Sequence, residues 1–254
     1  MKNEQIIKVK NLKKSYGQLV AVNRINFTVN KGEIFGILGP NGAGKTTTLE
    51  MMEGLRPIDD GTVEIDGINV AQNPNKIKQI IGIQLQSSSF YDNLNLAEML
   101  TLFGKFYRKD VKPMELLKNV GLEAKKSSYV KHLSGGQKQR MSIACALVND
   151  PKVIFLDEPT TGLDPQARRH LWELILELQK ENNRTIILTT HYMEEAEELC
   201  ERVAIMDEGE IITLDKPQTL IKELLKKGFK PKKKKLDASL DDVFLDLTGK
   251  KLRE

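Results

Sequence analysis

A glycine-rich segment at residues 39–46 has the residue types and spacing of a phosphate-binding loop. It reads Gly39-Pro40-Asn41-Gly42-Ala43-Gly44-Lys45-Thr46 and follows the apolar run Ile34–Leu38. Glycines let backbone N–H groups approach phosphate oxygens, and a helix beginning near Gly44 would point its positive end at the same anion. Lys45 would neutralise the outer phosphates, the hydroxyl of Thr46 would bind Mg²⁺, and Thr47 is expected to bind the nucleotide beside them. An accidental glycine-rich turn is the alternative, but the preceding strand pattern favours a nucleotide site.

Two adjacent carboxylates follow a second apolar run, residues 153–156. In open α/β sheets, ligands bind at the carboxyl ends of the strands, where Asp157 and Glu158 fall. We expect Asp157 to hold the Mg²⁺ ion and Glu158 to polarise a water molecule towards the γ-phosphate. Successive strand residues point in opposite directions, which predicts separate tasks for the two carboxylates. The alternative is a solvent-facing turn, and it is weakened by the phosphate loop elsewhere in the chain.

These residues require an α/β fold in which a mainly parallel sheet carries the loops. Uniformly apolar runs are typical of strands buried on both faces of such a sheet, and they occur at residues 34–38, 153–156 and 186–188. An antiparallel β portion is predicted in front, with strands at residues 6–10, 25–30 and 61–67, and a hairpin is predicted at 204–212. Helical spacing predicts helices at 94–106, 113–120, 170–178 and 193–202, and Asp164-Pro165 is typical of a helix start.

Composition excludes several other classes of protein. The chain has 254 residues, of which 40% are hydrophobic and 29% charged, with a net charge of +4. Cys145 and Cys200 are far apart, so neither a disulfide framework nor a cysteine metal site is indicated. No run approaches the roughly 18 apolar residues of a spanning helix, and the start lacks the apolar core of a signal peptide. We therefore expect an intracellular protein, and if it serves a membrane process, another chain must cross the bilayer.

The pentapeptide Leu133-Ser134-Gly135-Gly136-Gln137 precedes the acidic strand and resembles the signature sequence of ABC ATPases. Ser134 is predicted to cap a helix running from Gln137 towards Val148, which makes a second helix N-terminus suited to phosphate. The resemblance extends over residues 4 to 249. It implies that two subunits pack head to tail, with each ATP between the phosphate loop of one and the signature of the other.

The resemblance also implies roles for residues outside these motifs. Gln86, rather than the nearby Gln84, resembles the glutamine that touches Mg²⁺ and the attacking water. His191, after the run 186–190, resembles the histidine that contacts the γ-phosphate. Tyr16 resembles the aromatic residue that stacks on adenine, the alternative being a core tyrosine in a strand. Asp164 ends a segment, 161–164, that resembles the D-loop at the dimer interface, with Thr161 where serine is commoner.

The implied fold class is a P-loop NTPase with a RecA-like core, an antiparallel β subdomain and a helical subdomain. The implied domain covers residues 4–230, with the helical subdomain at about 88–145, followed by a basic linker and tail at 231–254. Residues 238–249 resemble the ending of bacterial drug-export subunits. Phe90 and Tyr91, an aromatic pair in an otherwise polar loop, are predicted to help form a groove for a membrane partner.

The implied function is binding and hydrolysis of ATP with Mg²⁺ to drive transport, in the direction of export. The partners would be separate integral membrane subunits and a second ATPase subunit, identical or different, and no nucleic acid is expected. The protein would then lie in the cytoplasm, peripherally on the inner face of the cell membrane. The alternative is an ABC-type ATPase that is not a transporter, such as a motor in DNA repair, chromosome organisation or translation.

Overall fold

The computed structural model describes residues 4–85 and 90–229. The strands are β1 (Gln5–Tyr16), β2 (Leu19–Asn30), β3 (Ile34–Leu38), β4 (Asp60–Ile65), β5 (Ile68–Asn69), β6 (Ile81–Gln84), β7 (Val153–Asp157), β8 (Thr185–Thr190), β9 (Arg202–Asp207) and β10 (Glu210–Asp215). The helices are α1 (Lys45–Met52), α2 (Pro74–Ile80), α3 (Leu96–Phe106), α4 (Pro113–Asn119), α5 (Gly135–Ala146), α6 (Pro165–Asn182), α7 (Met193–Leu199) and α8 (Pro217–Lys226). Gln86, residues 87–89 and the basic tail at 231–254 lie outside the described residues.

The six-stranded sheet has the order β10-β9-β3-β8-β7-β6 and is parallel except for the β9–β10 hairpin. Every residue of β3, β7 and β8 is buried, and the uniformly apolar runs at 34–38, 153–156 and 186–188 lie within these strands as predicted. Both β3 and β7 pair with β8 in parallel, on its two sides. The phosphate loop after β3 and the carboxylates at the end of β7 therefore lie at the same edge of the sheet. The predicted mainly parallel sheet is confirmed.

Alternating side chains of this sheet enter two separate cores. Ile34 and Leu38 of β3 pack with α3 to α8 on one face, in a core that also contains residues of β7, β8 and β9. Phe35 and Ile37 pack on the other face with α1, α2 and the antiparallel strands. The continuous apolar runs of these strands fit a sheet that is covered on both faces.

The front of the chain forms a second, antiparallel sheet in the order β2-β1-β4-β5. Its longest strands extend well beyond the predicted ranges 6–10 and 25–30, because cross-strand pairing continues from Gln5↔Asn30 to Tyr16↔Leu19 through several irregularities. The additional stretches contain polar residues and lack the alternation of apolar and polar residues that predicts a strand. They form strands because they pair with each other across the sheet. The Asp66-Gly67 turn joins β4 to β5 as predicted.

Helix ends agree with the predicted capping residues. Ser134 caps α5 in a reciprocal arrangement with Gln137, and Asp164 caps α6 by accepting from the N–H groups of Gln166 and Ala167. The acidic helix predicted at 193–202 ends sooner, at Leu199, because β9 begins at Arg202 and joins the sheet beside β3. Among the helices of residues 4–85 and 90–229, none is long and apolar enough to cross a membrane.

Candidate active site

The phosphate loop joins β3 to α1 and has a backbone that only glycine adopts easily. Gly42 and Gly44 have φ angles of 85° and 100°, in the left-handed region. A Cβ atom on Gly44 would lie 2.3 Å from the carbonyl oxygen of Ala21, and one on Gly39 would lie 2.1 Å from that of Met206. No side chain caps the N-terminus of α1, so its first N–H groups can bind an anion.

Lys45 lies at the bottom of this loop with only 4% of its side chain exposed. Its Nζ donates to the carbonyl oxygens of Gly39 at 3.0 Å and Pro40 at 3.1 Å, and it lies 3.3 Å from Glu158 Oε1. Burial lowers the pKa of Lys45, while the charge of Glu158 acts in the opposite direction. The ammonium group is therefore held by backbone acceptors and one carboxylate, all at the edge where phosphate would bind.

Asp157 ends β7 and faces the phosphate loop. Its Oδ1 accepts hydrogen bonds from Thr46 Oγ1 at 3.3 Å and from Thr189 Oγ1. Burial raises the pKa of Asp157, and the two hydroxyl donors oppose that rise. A hydroxyl and a carboxylate side by side are oxygen donors of the kind that Mg²⁺ binds, with the remaining ligands coming from phosphate and water. Among the described residues, no group of three acidic, cysteine or histidine side chains offers a metal site made of protein alone.

Glu158 follows β7 with a φ of 46° and points away from Asp157, towards His191. Its Oε2 lies 3.3 Å from His191 Nδ1 and accepts a hydrogen bond from Thr161 Oγ1 at 3.2 Å. Burial acts to raise the pKa of Glu158, but the charges of Lys45 and His191 outweigh it and the pKa is lowered. The carboxylate is thus ionised at neutral pH and held between a cation and an imidazole.

A cavity of about 610 Å³ opens over these groups. Its lining comes from the phosphate loop, the front sheet and the two strand ends: Tyr16, Leu19, Ala21, Asn41, Gly42, Gly44, Lys45, Thr46, Thr47, Glu158, Thr161 and His191. Tyr16 is 41% exposed at the end of β1, which is inconsistent with a core tyrosine. The guanidinium of Arg56, paired with Glu50, lies 5.5 Å from the Tyr16 ring centroid.

Not every predicted site residue meets in this cavity. The signature residues Ser134–Gln137 lie at the start of α5, and Asp164 is engaged as the cap of α6; neither group lines the cavity. Gln86 lies outside the described residues. Gln84 is fully buried in β6, where its amide donates to the Leu85 carbonyl oxygen at 2.6 Å, and it does not line the cavity.

Three residues contribute to the site although the sequence does not predict that they do. The sequence places Thr161 only in the D-loop, yet it contacts Glu158, and its position three residues after Glu158 in a turn is the signal that points to this contact. Thr189 contacts Asp157 because β8 lies beside β7 in register. Leu19 lines the cavity only because the β1–β2 hairpin brings it back beside Tyr16.

A phosphate loop after the middle strand of a parallel sheet, with a carboxylate-ended strand in the same sheet, defines a P-loop NTPase. A family model described as ABC transporter matches residues 22–161. The chain belongs to this family and is an ATP-binding and ATP-hydrolysing ABC transporter subunit. A second model, described as an AAA domain of a putative AbiEii toxin, matches the shorter range 128–195.

Two curated relatives are similar over most of the chain. The linearmycin resistance ATP-binding protein LnrL of Bacillus subtilis is 41% identical over 82% of this chain and 68% of its own length. The Nod factor export ATP-binding protein I of Burkholderia lata is 44% identical over 85% of this chain and 72% of its own. These relatives confirm the predicted transporter ATPase rather than the alternative of a non-transporter motor.

Solved structures agree in fold. An ATP-binding subunit of an ABC transporter superposes with a TM-score of 0.81 at 30% identity, covering 96% of this chain and 99% of its own. A dimeric ABC cassette in a post-hydrolysis state bound to ADP and phosphate has a TM-score of 0.75 at 30% identity, covering 83% and 98%. The predicted fold class, a P-loop NTPase with antiparallel and helical additions, is confirmed.

Proposed function

We propose that this chain powers export through separate integral membrane subunits, by hydrolysing ATP at a site completed by a second ATPase subunit. The observation that carries the hydrolysis step is the position of Glu158, within 3.3 Å of both Lys45 and His191. The direction of transport rests on the relatives, whose names describe linearmycin resistance and Nod factor export.

In the proposed reaction, the first N–H groups of α1 and Lys45 bind the outer phosphates, and Tyr16 stacks on the adenine. Phosphate binding draws the Lys45 ammonium away from Glu158, which removes one of the charges that lower its pKa. Glu158 then accepts the proton of the attacking water more readily, and His191 donates a hydrogen bond to the γ-phosphate. Gln86 would help to orient that water.

The metal ion in this proposal is Mg²⁺. Thr46 and Asp157 would hold it, and their hydroxyl and carboxylate oxygens fit its preference. When bound, the ion supplies positive charge to the phosphate oxygens during transfer. Thr189 would keep the Asp157 carboxylate oriented towards that ion.

The second subunit is proposed to supply Ser134–Gln137 and Asp164. Within one chain these residues lie outside the cavity, although a serine-capped helix N-terminus followed by two glycines suits a phosphate. The dimeric cassette bound to ADP and phosphate, 30% identical to this chain, supports an arrangement of two copies. The second subunit is either another copy of this chain or a different cassette, and the native mass of the purified protein with ATP distinguishes the two.

The membrane partner is proposed to dock on the helical subdomain, at about 88–145 within a nucleotide-binding domain of 4–230. A groove of about 720 Å³ runs between α3 and α4 and is lined by both apolar and charged side chains, including Leu94, Leu102, Met114 and Lys105. Tyr91, 59% exposed, lies in the segment before α3. The chain would then lie in the cytoplasm on the inner face of the membrane.

Substitution of Glu158 by glutamine tests the hydrolysis site. We expect Glu158→Gln to bind ATP, to lose turnover and to accumulate as an ATP-bound dimer, measured by phosphate release and by native mass. Glu177→Gln, which removes an exposed carboxylate of α6, is the matched control. Normal turnover in Glu158→Gln would remove this residue from its proposed role, and full turnover by a strict monomer with Ser134→Ala would contradict the two-chain site.

Co-expression tests the transport role. We expect this chain to sediment with membranes only when its integral partner is present, and cysteines placed at Tyr91 or Met114 to crosslink to that partner. Sedimentation that is independent of any partner, or absence of every crosslink in an active complex, would contradict the docking proposal.

A further inference from the structure

A buried carboxylate lies behind the site and has no part in the reaction proposed above. Glu195 belongs to α7, four residues after His191, and its side chain is fully buried. Burial of a carboxylate is costly unless hydrogen bonds compensate for the loss of water. The contacts of Glu195 therefore indicate what its presence achieves.

One oxygen of Glu195 joins three segments of the chain. Its Oε1 accepts a hydrogen bond from Thr160 Oγ1 at 2.7 Å and another from Trp172 Nε1 at 3.0 Å. Thr160 is fully buried and lies two residues after Glu158, while Trp172 lies in α6. The carboxylate thus connects the loop that follows Glu158 to the helix that follows His191.

Neighbouring groups favour the ionised form of this carboxylate. Burial raises the pKa of Glu195, while the nearby Thr190 hydroxyl, the hydrogen bonds from Thr160 and Trp172 and the charge of Arg168 act against that rise. The Arg168 guanidinium also lies 4.3 Å from the ring centroid of Tyr192, whose ring is 4.2 Å from that of His191. The polar cluster therefore reaches the residues on both sides of His191.

The backbone hydrogen bonds of Glu158 show that the segment after it, rather than the segment before it, depends on the Thr160–Glu195 hydrogen bond. On the N-terminal side, its N–H group donates to the Thr189 carbonyl oxygen at 3.2 Å and to Thr189 Oγ1 at 3.0 Å. On the C-terminal side, a turn closes with Thr161 N–H donating to the Glu158 carbonyl oxygen at 3.2 Å. That turn is local, so the Thr160–Glu195 hydrogen bond is what ties it to α7.

We propose that Glu195 is a positioning residue for ATP hydrolysis, which fixes the Glu158 carboxylate against His191 by holding Thr160 to α7. The inference rests on the proposed roles of Glu158 and His191. Because a displacement of about 1 Å at a reacting group can cost about 100-fold in rate, loss of this anchor lowers turnover without removing any group that touches ATP.

Thr160 offers the sharper test because its side chain has a near-isosteric replacement. We expect Thr160→Val, which lacks the donor hydroxyl, to lower kcat about 10-fold to 100-fold, with KM for ATP within about twofold of the unchanged chain. Thr160→Ser keeps the hydroxyl and should recover most of the kcat. Thermal unfolding of each variant is measured in parallel, and the rates are taken well below its midpoint.

A double variant tests whether the two residues act as a unit. Glu195→Gln should lower kcat in the same way, and Thr160→Val/Glu195→Gln should be no slower than the slower single variant. Unchanged kcat in both single variants, equal losses in Thr160→Val and Thr160→Ser, or multiplicative losses in the double variant would each overturn the inference.

Glu158→Gln is assayed beside these variants to separate this inference from the proposed function. Turnover at the normal rate in Glu158→Gln overturns the proposed function itself. Arrest in Glu158→Gln together with normal kcat in Thr160→Val overturns the role of Glu195 alone.

Discussion

Glu53 should make the folded protein less stable as the pH rises, and its replacement by glutamine should remove that effect. The residue follows α1 and is 1% exposed, and its Oε1 has no hydrogen-bond partner in residues 4–85 and 90–229. Burial, and then repulsion from Asp157 and Glu50, raises its pKa from 4.5 to about 8. The folded protein therefore binds a proton that the unfolded chain releases.

The size of the effect follows from the two pKa values. Because the folded pKa is the higher one, the stability that Glu53 contributes is fully present below pH 4.5 and is lost as the pH rises to about 8. Relative to a neutral side chain of the same size, the loss is about 1 kcal/mol at pH 5, about 3 kcal/mol at pH 7 and about 5 kcal/mol at pH 9. Glu53→Gln should gain these amounts in free energy of unfolding.

Urea unfolding followed by the fluorescence of Trp172, the single tryptophan, measures this difference at each pH. Glu177→Gln removes an exposed carboxylate and controls for the change in net charge. We expect the gain of Glu53→Gln over the unchanged chain to grow between pH 5 and pH 9, and no such growth for Glu177→Gln. A gain that is the same at every pH, or a Glu53→Gln variant that is less stable at pH 9, would refute the reasoning.

Three further predictions concern the site. Lys45→Ala should weaken ATP binding itself, measured by equilibrium titration, because it removes the buried ammonium from the phosphate loop; unchanged affinity would contradict that assignment. Tyr16→Ala should weaken ATP binding by about 1–3 kcal/mol while Tyr16→Phe retains it, since stacking needs the ring and not the hydroxyl; equal losses in both would argue against stacking. Asp164→Ala should lower the free energy of unfolding by about 1 kcal/mol through loss of the α6 cap, and Asp164→Asn should restore most of it; no change on removal of the cap would contradict this role.

Much of the fold could be predicted because its central strands are apolar without interruption. The runs at 34–38 and 186–188 are short and uniformly apolar, which favours buried strands, and the strands that contain them lead into the phosphate loop and His191. Strand lengths in the front sheet could not be predicted, because cross-strand pairing with β2 continues through polar residues and extends β1 to Tyr16, which pairs with Leu19. The C-terminal end of α7 could not be predicted either, because it depends on where β9 begins to pair with β3.

Where a motif names both residue type and spacing, the sequence predicts site residues, whereas it gives no sign of the residues that only the fold brings to them. Thr189 and Thr160 are ordinary strand-end and loop residues in the sequence, and their contacts with Asp157 and Glu195 depend on neighbouring strands and helices. Glu53 was also missed, since a glutamate at the end of a short helix is usually exposed.

The close approach of Gly44 to Ala21 affects the spacing between the two ends of the cavity. Here the loop that would hold phosphate touches the front sheet through bare backbone, and Asn23 N–H donates to the Gly209 carbonyl oxygen at 2.8 Å close by. Tyr16 belongs to that same front sheet, so this backbone contact helps to set the separation between its ring and the phosphate loop. A side chain at position 44 would push against the Ala21 carbonyl oxygen and change the separation between Tyr16 and the loop, so the glycine there also sets the spacing across the cavity.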